Sequence, residues 1–130
     1  MEYSERLTIV VPADDPIQIQ GSIHLDRLKP YGDVILYSDR PTDFEKIDRA
    51  KNADILINTR GGVTWPGVVL RELTKLRLIS VCSIGTDNID LETASDMGIV
   101  VSNQPARTAG VVAEHIFALM FSIAKRVGFQ

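Results

Sequence analysis

The chain has 130 residues, 45% of them hydrophobic and 24% charged, which suits one soluble globular domain with a sizeable core and excludes a two-domain enzyme within this length. Its 14 Lys and Arg against 17 Asp and Glu give a formal net charge of -3, without the basic surplus that drives binding to phosphate backbones, so no nucleic-acid partner is expected. Cys82 is the single cysteine, which excludes an intrachain disulfide and a multi-cysteine metal site and fits a cytoplasmic setting.

The polar opening, Met1 to Arg6, lacks the basic-then-apolar order of a signal peptide. Five β-rich runs follow: Leu7 to Val11, Val34 to Tyr37, Ile55 to Asn58, Leu78 to Cys82 and Ile99 to Ser102. Helix-like segments alternate with them, the signal for an α/β fold with a parallel sheet. Each run is nearly all apolar, as strands covered on both faces are. Five strands in strict alternation with five helices predict a flavodoxin-like, doubly wound five-stranded parallel sheet with helices on both faces, one domain over residues 1–130. The first helix is expected to hold His24. The third is expected to begin near Thr64 with Pro66 in its first turn, where proline costs least. The fourth has Asp90 as N-cap, Glu92 in its first turn and Gly98 just past its end.

The final helix, over about 109–127, is apolar nearly all round. Val112, Ile116, Leu119, Met120, Ile123 and Val127 form one stripe at helical spacing, and Val111, Phe117, Ala118, Phe121 and Ala124 cover much of the rest. A sheet covers only one side of such a helix, so the other is expected against a second domain or a second copy of the chain. Val111 to Ala124 is shorter than the roughly 20 residues that span a bilayer, so no membrane segment is expected.

In open α/β sheets ligands bind beyond the carboxyl ends of the strands, near the point where strand order reverses. The first loop, Pro12-Ala13-Asp14-Asp15-Pro16, is acidic and would repel an anion. The loop after the third strand, Asn58-Thr59-Arg60-Gly61-Gly62-Val63-Thr64, joins glycines that permit close backbone approach to a permanently charged guanidinium, the parts of a carboxylate site. Beside it lies Ser83-Ile84-Gly85-Thr86-Asp87-Asn88. His24 and His115 lack a second ligand at metal spacing, so no metal is assigned. Glu114 reads as a capping or paired carboxylate, and Cys82 as a buried, inert thiol. No strand is followed by a Gly-x-Gly-x-x-Gly turn, so this stretch holds no dinucleotide phosphate cradle.

Three segments resemble the substrate-binding, or catalytic, domain of the D-isomer-specific 2-hydroxyacid dehydrogenases, the group that includes D-3-phosphoglycerate dehydrogenase and glyoxylate reductases. They are Leu76 to Asp90, Met97 to Pro105, and Val112-Ala113-Glu114-His115, the last similar to the start of the family's interdomain helix. The first fifty residues fit chiefly through the strand pattern and Tyr37-Ser38-Asp39-Arg40-Pro41. The resemblance implies that Arg60, Gly61, Gly62, Ile84 and Gly85 contact the carboxylate of a small 2-hydroxy or 2-keto acid, largely through backbone N–H groups. It places Thr108 near the cofactor cleft, where many members carry asparagine. It also implies NAD or NADP held by a Rossmann domain that lies, with the catalytic arginine, glutamate and histidine, beyond Gln130. On that reading the chain is an incomplete lobe, inactive alone, and a homodimer is expected. A second reading is a stand-alone flavodoxin-like binding or signalling module that self-associates through its last helix. Asp14 and Asp15 look like a receiver's acidic pair, yet Asn58-Thr59 and Ser102-Asn103 stand where a receiver has aspartate and lysine.

Overall fold

The computed structural model describes residues 6–60, 63–104 and 108–128. Its elements are β1 (Leu7–Val11), a 3-10 helix (Leu25–Leu28), β2 (Gly32–Leu36), α1 (Asp43–Ala50), β3 (Ile55–Asn58), α2 (Gly67–Leu70), β4 (Leu78–Val81), α3 (Leu91–Asp96), β5 (Val100–Ser102) and α4 (Ala109–Lys125). Every strand pairing is parallel and the order is β2-β1-β3-β4-β5, the doubly wound arrangement that the alternation implied. The chain steps one way from β1 to β2 and the other way thereafter. Right-handed crossovers therefore put the first connection on one face and the later ones on the opposite face.

The core lies on the second face. Val10, Leu56 and Ile79 stand in one register row and are almost fully buried. They form a single apolar cluster with Ala50 of α1, Leu70 of α2 and Ala94 of α3. The other face is covered unequally. Ile9 and Val11 of β1 are buried, but the row that runs from Ile9 through Ile55 and Leu78 ends at Val100, which is 60% exposed.

Local signals account for the helix ends. Thr42 caps α1 through a reciprocal capping box, its hydroxyl accepting from the Glu45 N–H while the Glu45 carboxylate accepts from the Thr42 N–H. Asp90 caps α3 by accepting from the Thr93 N–H at 3.0 Å, and Gly98 at φ +70° ends it where a side chain would be strained.

Four expectations change. The first connection holds a short 3-10 helix, not a full α-helix, because the Asp14 carboxylate captures the N–H groups of Gln18, Ile19 and Gln20 and locks the chain in a turn. His24 sits just before that helix, exposed. The third helix starts at Gly67, later than expected, with Pro66 as its extended N-cap, because Trp65 makes a strand-like bridge to Ile89. Cys82 lies one residue past β4 and is half-buried, not enclosed in the strand. The stripe expected to pack α4 on the sheet is not covered. No residue of α4 is buried, and its large apolar side chains from Val111 to Ile123 are 50% to 78% exposed. The Gln104 N–H donates to the Ser83 carbonyl, carrying the chain past the end of β4, and β5 is the edge strand, so α4 has no further strand to cross back over.

Candidate functional site at the carboxyl edge of the sheet

Because β3 and β4 are adjacent and parallel, the loops that follow them leave the sheet side by side. Asn58, the last residue of β3, is 1% exposed. A buried carboxamide must spend both its donor and its acceptor. Its Oδ1 accepts from the Trp65 indole N–H at 3.2 Å, and its Nδ2 donates to the Val63 carbonyl at 3.4 Å. Asn88, in the neighbouring loop, donates to the same Val63 carbonyl at 3.1 Å. The Trp65 N–H donates to the Asn88 carbonyl at 2.7 Å, and the Asp90 N–H to the Trp65 carbonyl at 3.0 Å. From α1, the Lys46 ammonium donates to the Thr64 carbonyl at 3.0 Å. The two loops are thus laced together where the first returns to the core.

At the start of that loop the Thr59 hydroxyl donates to the Ala13 carbonyl, and the Arg60 N–H donates to Gln18 Oε1 at 3.3 Å. Arg60 is exposed, and among the described residues its guanidinium makes no ion pair. In the β4 loop, Ile84 and Gly85 are exposed. The Ile84 carbonyl accepts from Asn103 Nδ2 at 2.6 Å, and the Gly85 carbonyl from the Ser83 hydroxyl at 3.1 Å. Arg60, Ile84 and Gly85 therefore sit on neighbouring loops of one sheet edge, while Gly61 and Gly62 lie outside the described residues. Thr108 is the residue before α4, exposed and without a side-chain capping bond. An uncommitted cation beside glycine-bearing loops can bind a carboxylate.

The acidic loop after β1 is closed on itself. Asp14 is fully buried and its carboxylate accepts from the three N–H groups that form the turn. Asp15 pairs with Arg40 at 2.7 Å. The N–H groups that could have met a phosphate are consumed, so these residues do not fit a dinucleotide's pyrophosphate. Arg49, stacked 4.3 Å over the Tyr37 ring, braces this loop by donating to the Pro12 carbonyl at 2.8 Å. It also pairs with Asp39, holding that carboxyl below its usual range.

Burial, with the Asp14 carboxylate nearby, pushes the Cys82 thiol up, which keeps it protonated and unreactive. Glu114 and His115 are exposed on α4, and Glu114 makes no ion pair among the described residues. Among the described residues no three potential metal ligands gather, and no helix is long and apolar enough to cross a membrane. Sequence reasoning missed Gln18, Lys46, Trp65 and Asn88. Asn58 gave one signal, since a polar residue closing an apolar strand requires partners; the partners themselves are set by the tertiary fold.

Fold and site together define a doubly wound α/β lobe whose ligand edge is built from the β3 and β4 loops. Residues 13–125 match the family of the D-isomer specific 2-hydroxyacid dehydrogenase, catalytic domain, and the chain belongs to that family. It is 39% identical over 79 residues to a putative 2-hydroxyacid dehydrogenase of Haemophilus influenzae, covering 61% of this chain and 24% of that protein. It is 31% identical over 113 residues to D-3-phosphoglycerate dehydrogenase of Methanocaldococcus jannaschii, covering 85% of this chain and 21% of that one. Among solved structures, an acyclic imino acid reductase in complex with NADPH and D-Arg superposes with a TM-score of 0.79 at 26% identity, over 93% of this chain and 38% of that one. The chain thus spans about a quarter of the length of the curated relatives it matches.

Proposed function

We propose that this chain is the substrate-binding lobe of an NAD(P)-dependent D-2-hydroxyacid dehydrogenase, holding the carboxylate of a small 2-hydroxy or 2-keto acid while hydride transfer takes place. The observation that carries the reading is the exposed Arg60 guanidinium, without an ion pair among the described residues, on a loop laced to the loop that holds the exposed Ile84-Gly85 turn. Arg60 supplies charge and a fork that matches a carboxylate, and N–H groups of Gly61, Gly62, Ile84 and Gly85 supply the remaining donors. A nicotinamide cofactor supplies the hydride when bound to a partner nucleotide-binding domain, since the closed β1 loop offers it no cradle. Thr108, between the sheet and α4, faces the cleft with that domain. The apolar flank of α4 is the assembly surface, covered by the nucleotide-binding domain or by a second copy in a homodimer, and the protein works in the cytoplasm.

Titrating the 130-residue chain with pyruvate, followed by amide shifts, tests the site. Shifts centred on Arg60 and Gly85, lost in Arg60→Ala, are expected; no shift with any small 2-keto acid overturns the reading. Adding NADH with pyruvate to the isolated chain gives no turnover, and measurable NADH oxidation would overturn the assignment of the cofactor to a separate domain.

A further inference from the structure

The Arg60 loop is held very differently at its two ends. Its start is tied by the Thr59 hydroxyl and by one exposed side chain, Gln18. Its return, Val63 to Trp65, is held by side chains from α1, β3 and the β4 loop. Two of these, Lys46 and Asn58, are 3% and 1% exposed. Lys46 is the harder to explain by packing alone. Its ammonium is taken out of water to meet one carbonyl and Asp43, itself 94% exposed, where an apolar side chain would fill the same space of α1 at lower desolvation cost. Asn58 and Asn88 converge on a single acceptor, the Val63 carbonyl, using both of its lone pairs. None of the three side chains reaches the ligand edge. All three act on the backbone that leads out of it.

We propose that Lys46, Asn58 and Asn88 are positioning residues, which hold the return of the Arg60 loop, Val63 to Trp65, in one conformation before ligand arrives, so that carboxylate binding does not have to order that segment. The inference rests on the carboxylate reading above. Trp65, the chain's single tryptophan, lies at the centre of this brace and gives it one distinctive indole N–H resonance.

Pyruvate titration of the 130-residue chain and its variants tests the proposal. Lys46→Met keeps the stem and removes the donor, and its Kd for pyruvate is expected to rise about tenfold while the chain stays folded. Lys46→Arg, which restores a donor, recovers most of the affinity. Asn88→Ala, which leaves one of the two donors to Val63, gives a smaller rise. A folded Lys46→Met chain with unchanged Kd overturns the proposal and leaves the carboxylate reading standing, whereas failure of the unaltered chain to bind any small 2-keto acid removes both. A measurement on the unaltered chain decides the matter even if the variants misfold. The backbone amide of Trp65, donating to the Asn88 carbonyl, is expected to exchange slowly with or without pyruvate. An amide that exchanges freely alone and is protected only by pyruvate would show that the loop orders on binding, and the proposal would fall.

Discussion

The carboxyl edge of the sheet and helix α4 are opposites in how their side chains are satisfied. Behind that edge, Asn58, Asn88, Lys46 and Asp14 each find partners within the chain, across sequence separations from 4 to 25 residues. On α4, none of 17 residues is buried. The contrast separates two kinds of order. On the sheet side, side chains tie the described parts of the two loops to each other and to the lobe. Helix α4 packs none of its side chains into the lobe, and isolated helices of about this length are marginal in water.

Four substitutions sharpen this contrast. Trp65→Ala removes the largest fully buried side chain and the centre of the brace, and is expected to cost about 3–5 kcal/mol in a denaturant melt followed by circular dichroism. A cost near zero would mean that the two loops are not held by the core. Asn58→Leu keeps the bulk but leaves the Trp65 indole N–H without its acceptor and weakens the hold on Val63, for an expected loss of about 1–3 kcal/mol.

Asp90→Ala removes the cap of α3 and should lower the melting temperature by less than Asn58→Leu does. Its effect depends on pH. The Thr93 N–H holds the Asp90 carboxyl below its usual value of 3.8, so the stabilisation is fully present above that value and is lost as pH falls through the depressed one. Melts at neutral pH should therefore separate the two chains, and melts in strong acid should bring them together; a gap that persists in acid would refute the cap's electrostatic part. At the other end of the scale, Phe121→Asp changes a 63% exposed residue and should leave the unfolding free energy of the lobe within about 0.5 kcal/mol of the original. Sedimentation should then show loss of self-association, and an unchanged mass would count against α4 as the assembly surface.

Periodicity was enough to read the parallel sheet, because strands covered on both faces run nearly all apolar, whereas strands covered on one face alternate. Asp90 and Gly98 announced the ends of α3 because caps are chosen within a single turn. Arg60 and Gly85 could be placed on neighbouring loops because strand order follows from alternation and crossover handedness. The β1–β2 connection could not be read that way. It carries helical spacing, but a buried Asp14 spends three N–H groups on a turn, and that competition between side chain and backbone is invisible to a pattern of apolar residues.

The amino-acid order by itself therefore determined the layers of this lobe, which loops share the carboxyl edge of its sheet and the apolar character of its last helix, all of which follow from local periodicity, caps and chain direction. Only the tertiary structure decided which polar groups meet on the backbone behind that edge and that α4 stands uncovered. Lys46, Asn58 and Asn88 lie 12 and 30 residues apart along the chain, and α4 leaves from an edge strand. Contacts of that reach depend on how whole elements stack, which no stretch of sequence encodes alone.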